Sequence, residues 1–224
     1  MIKVLNKIIL PQTDENGEMY LSYSQKKTWK KKRDYIRQYF FGNKSDNEYL
    51  EKYGDFGNKI ADVFRNEDYS GFTKKEIEFL KTIPKYDEFE TEVHLDMGGW
   101  YVKCYVDSNT KVEDGYVKEL LDYKTGEIDK RKVDYESQEY DQIEIYAAAF
   151  EQKYGKLPNK GKVVLIQRDG NAFKNEELKL GDKYIEIPKK ITKKRIKEVK
   201  DEYIYTAREI SEYYKVFLKL TCVV

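Results

Sequence analysis

Asp107, Asp122 and Lys124 are the residues whose types and spacing point most directly to chemistry. The segment YVKCYVD ends in Asp107, and the segment VKELLDYKTG carries Asp122 and Lys124 two positions apart. If both segments are strands, a period of two puts Asp122 and Lys124 on one sheet face and turns Tyr123 to the other. A hairpin around residues 109–115 then lets Asp107 approach Asp122. Two carboxylates side by side repel and need a cation, and hard oxygen ligands of this kind suit Mg²⁺ or Mn²⁺. A neighbouring ammonium could orient or deprotonate a metal-bound water. The acidic-x-Lys triplet alone carries little weight, since four occur here, starting at Asp122, Glu151, Glu177 and Glu198. The first is set apart by its apolar strand, by the preceding strand that ends in Asp, and by the Thr125-Gly126 that closes it. A solvated charge pair at a strand end is the alternative.

Composition narrows the chemistry further. One histidine (His94) and two cysteines (Cys104 and Cys222) in 224 residues cannot build a Cys/His zinc site or a four-cysteine iron–sulfur cluster within one chain. Cysteines so far apart suggest buried thiols in a reducing, cytoplasmic compartment rather than a disulfide framework. Lys and Arg number 42 against 41 Asp and Glu, so the net charge announces no nucleic-acid partner. No signal peptide and no apolar run of roughly 18–20 residues is present, so no membrane is expected.

These residues need elements to hold them. A helix is expected behind the Ser22 or Ser24 cap, through QKKTWKKKRDYIRQYF, with Trp29, Ile36, Tyr39 and Phe40 near one face. A second covers about 47–65, with Gly54 as a candidate break, and a third follows the Thr73 cap to Leu80. Residues 88–95, 100–107 and 117–124 alternate as three strands joined by turns at Gly98-Gly99 and Asp114-Gly115. A helix over 135–154, strands over 162–167 and 183–187, and an amphipathic helix over 192–220 complete the chain. The expectation is one α/β domain over 1–224, a central mixed β-sheet flanked by helices, with a helical N-terminal part at about 22–82.

The helix SQEYDQIEIYAAAF places Gln142 and Tyr146 at i and i+4, with Gln138 one turn earlier. An amide and a phenol there could bond a phosphate or stack on a base. A helix that packs Ile143, Ala147 and Phe150 on the sheet and wets its polar side fits equally.

The order strand–Asp, strand–DYKTG, then helix with Gln-x-x-x-Tyr resembles the PD-(D/E)xK nucleases, and more narrowly the RecB-type nuclease domain with its stand-alone phage and CRISPR-adaptation relatives. The resemblance covers roughly residues 22–187, and DYKTG and QIEIY are its most specific pieces. It implies a restriction-endonuclease-like core and Mg²⁺- or Mn²⁺-dependent hydrolysis of DNA, as an exonuclease in repair, recombination or phage replication. It also admits a protein partner in a recombination or replication complex. Asp107 and Asp122 would be metal ligands with the backbone carbonyl of Tyr123, Lys124 the catalytic lysine, and Gln142 and Tyr146 DNA contacts near the scissile phosphate. Glu92 matches an acidic position in the preceding strand.

The chain departs from that pattern at two places. Ala61 stands where the family carries a metal-ligating helix histidine, four residues after Gly57; Asp62 is adjacent, though one step turns a helical side chain by about 100°. His94, which alternates in register with Glu92, is the other substitute. Cys104 replaces a glycine expected three before Asp107. A catalytically impaired, nucleic-acid-binding or assembly protein is therefore the second expectation. Basic clusters (Lys30, Lys31 and Arg33 on the first helix, Lys193 and Lys194 on the last) mark an expected DNA path. Trp29, Tyr35 and Tyr39 beside them suggest stacking on unpaired bases, hence single strands or ends.

Overall fold

The computed structural model describes residues 7–43 and 47–221. The fold is α/β, with a central mixed sheet between helices. Strands β1 (Tyr20–Ser22), β2 (Glu88–Asp96), β3 (Tyr101–Asn109), β6 (Glu119–Gly126), β7 (Lys160–Asp169) and β8 (Lys179–Lys189) form it, and β4 (Val112–Glu113) and β5 (Tyr116–Val117) make a small hairpin between β3 and β6. Asp114 and Gly115 turn that hairpin, both with positive φ, as a two-residue connection of right-twisted strands demands.

Strand β3 organises the site. Its full length pairs antiparallel with β2 along one edge. The other edge is shared: β1 runs parallel to residues 101–103, while β6 pairs antiparallel only at Ser108–Leu121 and Asn109–Leu120. Strand β6 then departs from β3 and follows β7 in parallel from Glu119 to Gly126. The sheet therefore forks, and continuing the short β3–β6 register sets Asp107 opposite Asp122 at the apex.

Helices cover both faces. On one, α6 (Gln142–Tyr154) lies on the sheet under α7 (Lys193–Thr221), and Val106, Leu120, Ile143, Phe150, Leu165 and Val199 share its core. On the other, α3 (Glu48–Asn66) and α4 (Lys74–Leu80) bury Ile60, Phe64 and Leu80 against Leu121, Val164 and Ile166. Asn47 and Thr73 cap these two helices, Thr73 in a reciprocal box with Glu76. Gly54 does not break α3.

Three expectations about elements are corrected. The helix anticipated through Phe40 is α1 (Tyr23–Trp29), α2 (Lys32–Tyr35) and a π-helical turn at Ile36–Phe40. The break falls in the exposed lysine run and lets Trp29 and Tyr35 both turn inward, their rings 5.0 Å apart. The helix over 135–154 is two helices, α5 (Ile128–Glu136) and α6, because Lys189 Nζ takes the carbonyls of Tyr135 (3.2 Å) and Ser137 (2.9 Å), and Arg195 that of Gln138 (2.5 Å). Cations on the closing carbonyls end the helix. Gln138 thus lies in the break and not on a stripe with Gln142. Strand β1, three residues long, has no counterpart in the pattern reading.

Candidate active site

At the fork, the Tyr123 N–H has no strand partner on the β3 side. It donates instead to Asp107 Oδ2 at 2.7 Å. A strand residue presents its N–H and C=O to the same side, so the Tyr123 carbonyl faces that open edge as well. Glu90, across β3 from Asp107, is skipped in the β2–β3 register and sits at φ 47°, a left-handed kink in a non-glycine residue beside the site. The Tyr123 ring turns to the α3 side and packs on Phe64 at 4.4 Å.

Asp122 is wholly buried, and its charge is answered by Lys124, whose Nζ lies 2.8 Å from its carboxylate. Burial pushes the Asp107 carboxyl's pKa up, and the Asp122 charge adds to the rise; Lys124 and the Tyr123 N–H offset only part of it. For Lys124, burial acts to lower the pKa, but Asp122 and then Asp107 outweigh it and hold the ammonium up at about 12. Two carboxylates share one ammonium. Such a site favours a further cation, and the donor set fits an ion that binds through one or two carboxylates and keeps several waters. The fit is limited to that pair: among the described residues no group of three or more His, Cys, Asp or Glu is gathered as a metal cage.

One cleft opens on Asp107 and Lys124, and a second lies beyond Tyr140. One, 450 Å³, is lined by Asp107, Tyr123, Lys124 and Arg168 with Gly57 and Ala61 of α3. The other, 870 Å³, is lined by Lys26, Lys27, Lys30, Arg131, Arg195 and Tyr140 among others. Tyr140 joins it to the site through a hydroxyl hydrogen bond to Asp122 Oδ2. Partial desolvation at the cleft wall lowers the Lys27 pKa, and its like-charged neighbours Arg131 and Lys124 lower it further.

The structure separates the remaining candidates. Ala61 does line the cleft, while Asp62 is tied to Arg65, which also binds Glu90. Glu92 and His94 pair with each other at 2.7 Å, and the His94 ring stacks on Tyr101 at 4.2 Å; neither lines the Asp107 cleft. Gln142 bonds Tyr146, whose ring is 3% exposed and lies in the core. Trp29 and Tyr35 are likewise buried and unavailable for base stacking. Lys30 lines the larger cleft, whereas Lys31, Arg33, Lys193 and Lys194 are exposed but line neither. Tyr140 and Arg131 carry no signal in the sequence pattern, whereas Lys27 belongs to the basic run of the first helix expected to meet DNA.

Fold and site together define an α/β protein with a buried carboxylate pair and a lysine at the fork of a mixed sheet. No family model matches the chain, and no curated protein matches it significantly. Among solved structures, a putative exonuclease from Eubacterium rectale is 13% identical over 90% of this chain and 87% of its own, with a TM-score of 0.49. The protein SSO0001 is 15% identical over 87% of this chain and 78% of its own, with a TM-score of 0.39. At these identities and scores neither likeness assigns a function.

Proposed function

We propose that the protein is a metal-dependent nuclease that hydrolyses phosphodiester bonds in DNA, acting as an exonuclease. The observation that carries this reading is the Asp107–Asp122 pair at the sheet fork with a single ammonium, Lys124, on an open cleft, and a second, basic cleft joined to it through Tyr140. The resemblance of strand–Asp, DYKTG and QIEIY to PD-(D/E)xK nucleases supports it. Asp107, Asp122 and the Tyr123 carbonyl would hold Mg²⁺ or Mn²⁺, which when bound polarises a phosphate and acidifies a water. Lys124 contacts the attacking water or a phosphate oxygen. Lys27, Lys30 and Arg131 receive the backbone of the strand that runs into the larger cleft. The partner is DNA, with single strands or ends preferred.

The test is incubation with end-labelled single-stranded, duplex and circular DNA, and with RNA, in Mg²⁺ or Mn²⁺ against EDTA. Asp122→Ala and Lys124→Ala are expected to abolish cleavage while circular dichroism shows an intact fold. Wild-type cleavage by a folded Asp122→Ala protein sinks the assignment.

One observation favours a second reading: Ala61 lines the cleft where the family pattern has a histidine ligand, and among the described residues no third His, Cys, Asp or Glu is gathered with the pair, Glu90 of the same cleft being held by Arg65. A nucleic-acid-binding protein with a disabled site would bind DNA in EDTA yet cleave no substrate with either metal.

A further inference from the structure

We propose that Tyr140 is a positioning residue for Asp122, and that Gln142 and Tyr146 act through it rather than by touching nucleic acid. The inference rests on the reading of Asp107 and Asp122 as metal ligands. A continuous chain of side chains carries it. The Tyr140 hydroxyl sits on Asp122 Oδ2 and lies 2.9 Å from Gln142 Oε1, and the far end of the Gln142 amide meets the Tyr146 hydroxyl. Tyr140 and Tyr146 are 5% and 3% exposed, so neither ring is open to a base.

Proton counting gives the chain a direction. Tyr140 has one hydroxyl proton, yet a carboxylate and an amide carbonyl are both acceptors. Turning the Gln142 amide end for end exchanges two atoms of nearly equal size and satisfies every group. Tyr146 then donates to the Gln142 carbonyl, the Gln142 NH₂ donates to the Tyr140 oxygen, and Tyr140 gives its proton to Asp122. With Lys124 as the second donor, the buried Asp122 carboxylate is held by a phenol and an ammonium.

The phenol cannot swing away. Its ring meets Tyr135 edge-on at 4.9 Å and Tyr23 at 5.5 Å, and Lys189 Nζ sits 5.6 Å from its centroid. A hydrogen-bonded neighbour that fixes a ligating carboxylate typically sets metal affinity by about 10–100-fold. The Gln-x-x-x-Tyr spacing follows: i and i+4 on α6 put the phenol of Tyr146 under the amide of Gln142, which braces Tyr140 just ahead of the helix.

The test measures Mn²⁺ binding without DNA by calorimetry, and DNA binding in EDTA by fluorescence anisotropy, on the full chain. Tyr140→Phe is expected to weaken Mn²⁺ binding about 10–100-fold and leave DNA affinity in EDTA unchanged. Gln142→Met, partly exposed at the start of α6, removes the brace and keeps the shape; it should weaken Mn²⁺ binding about tenfold, and it decides the matter should Tyr140→Phe fail to fold. A purely structural role would lower the denaturation midpoint and leave the Mn²⁺ constant of the folded protein where it was. Unchanged Mn²⁺ affinity in the folded variants overturns the inference, as does a loss of DNA affinity with metal affinity intact. If the wild type itself binds no Mn²⁺, the metal reading falls with it, an outcome distinct from the first.

Discussion

Two groups of charges in this protein are built differently, one among α1, α6 and α7 and the other at the fork of the sheet. In the first, Lys26, Lys189 and Arg195 meet the buried Asp141 and Glu144, each of which has its own cation, with the half-exposed Glu198 and Glu202 at the rim. In the second, Lys124 alone meets Asp107 and Asp122. Burial raises the carboxyl pKa in both. For Asp141 and Glu144 the next influence is a cation, Lys26 or Lys189, that pulls the value back. For Asp107 the next influence is the other carboxylate, which adds to the rise. A balanced cluster is a structural fastening, here tying α1, α6 and α7 together and ending α5. An unbalanced one stores repulsion that a bound cation relieves, and its place at an open fork gives that cation access.

The strongest way to break the comparison is to unbalance the first cluster. Lys26→Met leaves Asp141, with no exposure, without its closest cation. Removing one partner of a buried pair costs about 3–5 kcal/mol, so urea denaturation should show a loss of that size. A loss below about 1 kcal/mol would mean the cluster is no fastening.

The converse change should go the other way. Asp107→Asn removes a charge from the unbalanced pair while its amide oxygen still accepts the Tyr123 N–H. The folded pKa of Asp107 is raised, so its contribution to stability is present in acid and lost as pH climbs above the ordinary aspartate value of about 4. In EDTA at neutral pH the variant should therefore be more stable than the wild type by about 0.5–2 kcal/mol, with the gap closing in acid. Mn²⁺ at a hundred times its dissociation constant should stabilise the wild type by about 2.7 kcal/mol and the variant not at all. Denaturation across pH, with and without Mn²⁺, checks both signs. Equal wild-type and variant stability at every pH would remove the stored repulsion.

The same contrast explains what was legible in the sequence. Asp122 and Lys124 share a face because of a local period of two, and Asp107 ends the neighbouring strand, so their meeting follows from short-range pattern. Tyr140 and the burial of Tyr146 do not. Tyr140 lies just outside α6, in a break made by Lys189 and Arg195 some 50 or more positions on, and Tyr146 is buried in a core drawn from elements distant in sequence. Helix α5 lacks an apolar stripe, burying only Ile128 and Tyr135, and β1 exists through its ladder to β3. The Lys193–Lys194 and Lys30–Arg33 runs look alike as charge, but only the fold shows which cations border the site.

That last difference yields the smallest effect. Lys27 is exposed, lines the larger cleft and has Arg131 and Lys124 as like-charged neighbours, so a phosphate there relieves repulsion. Lys193 and Lys194 are exposed on α7 away from both clefts. Neither Lys27→Ala nor the double Lys193→Ala, Lys194→Ala variant should move stability by more than about 0.5 kcal/mol. In DNA titrations over a salt series, Lys27→Ala should lower the slope of log affinity against log salt by about 1. The double variant removes two charges and should change that slope less than the single one does. The reverse ranking would route the backbone over the start of α7 and make the larger cleft a bystander.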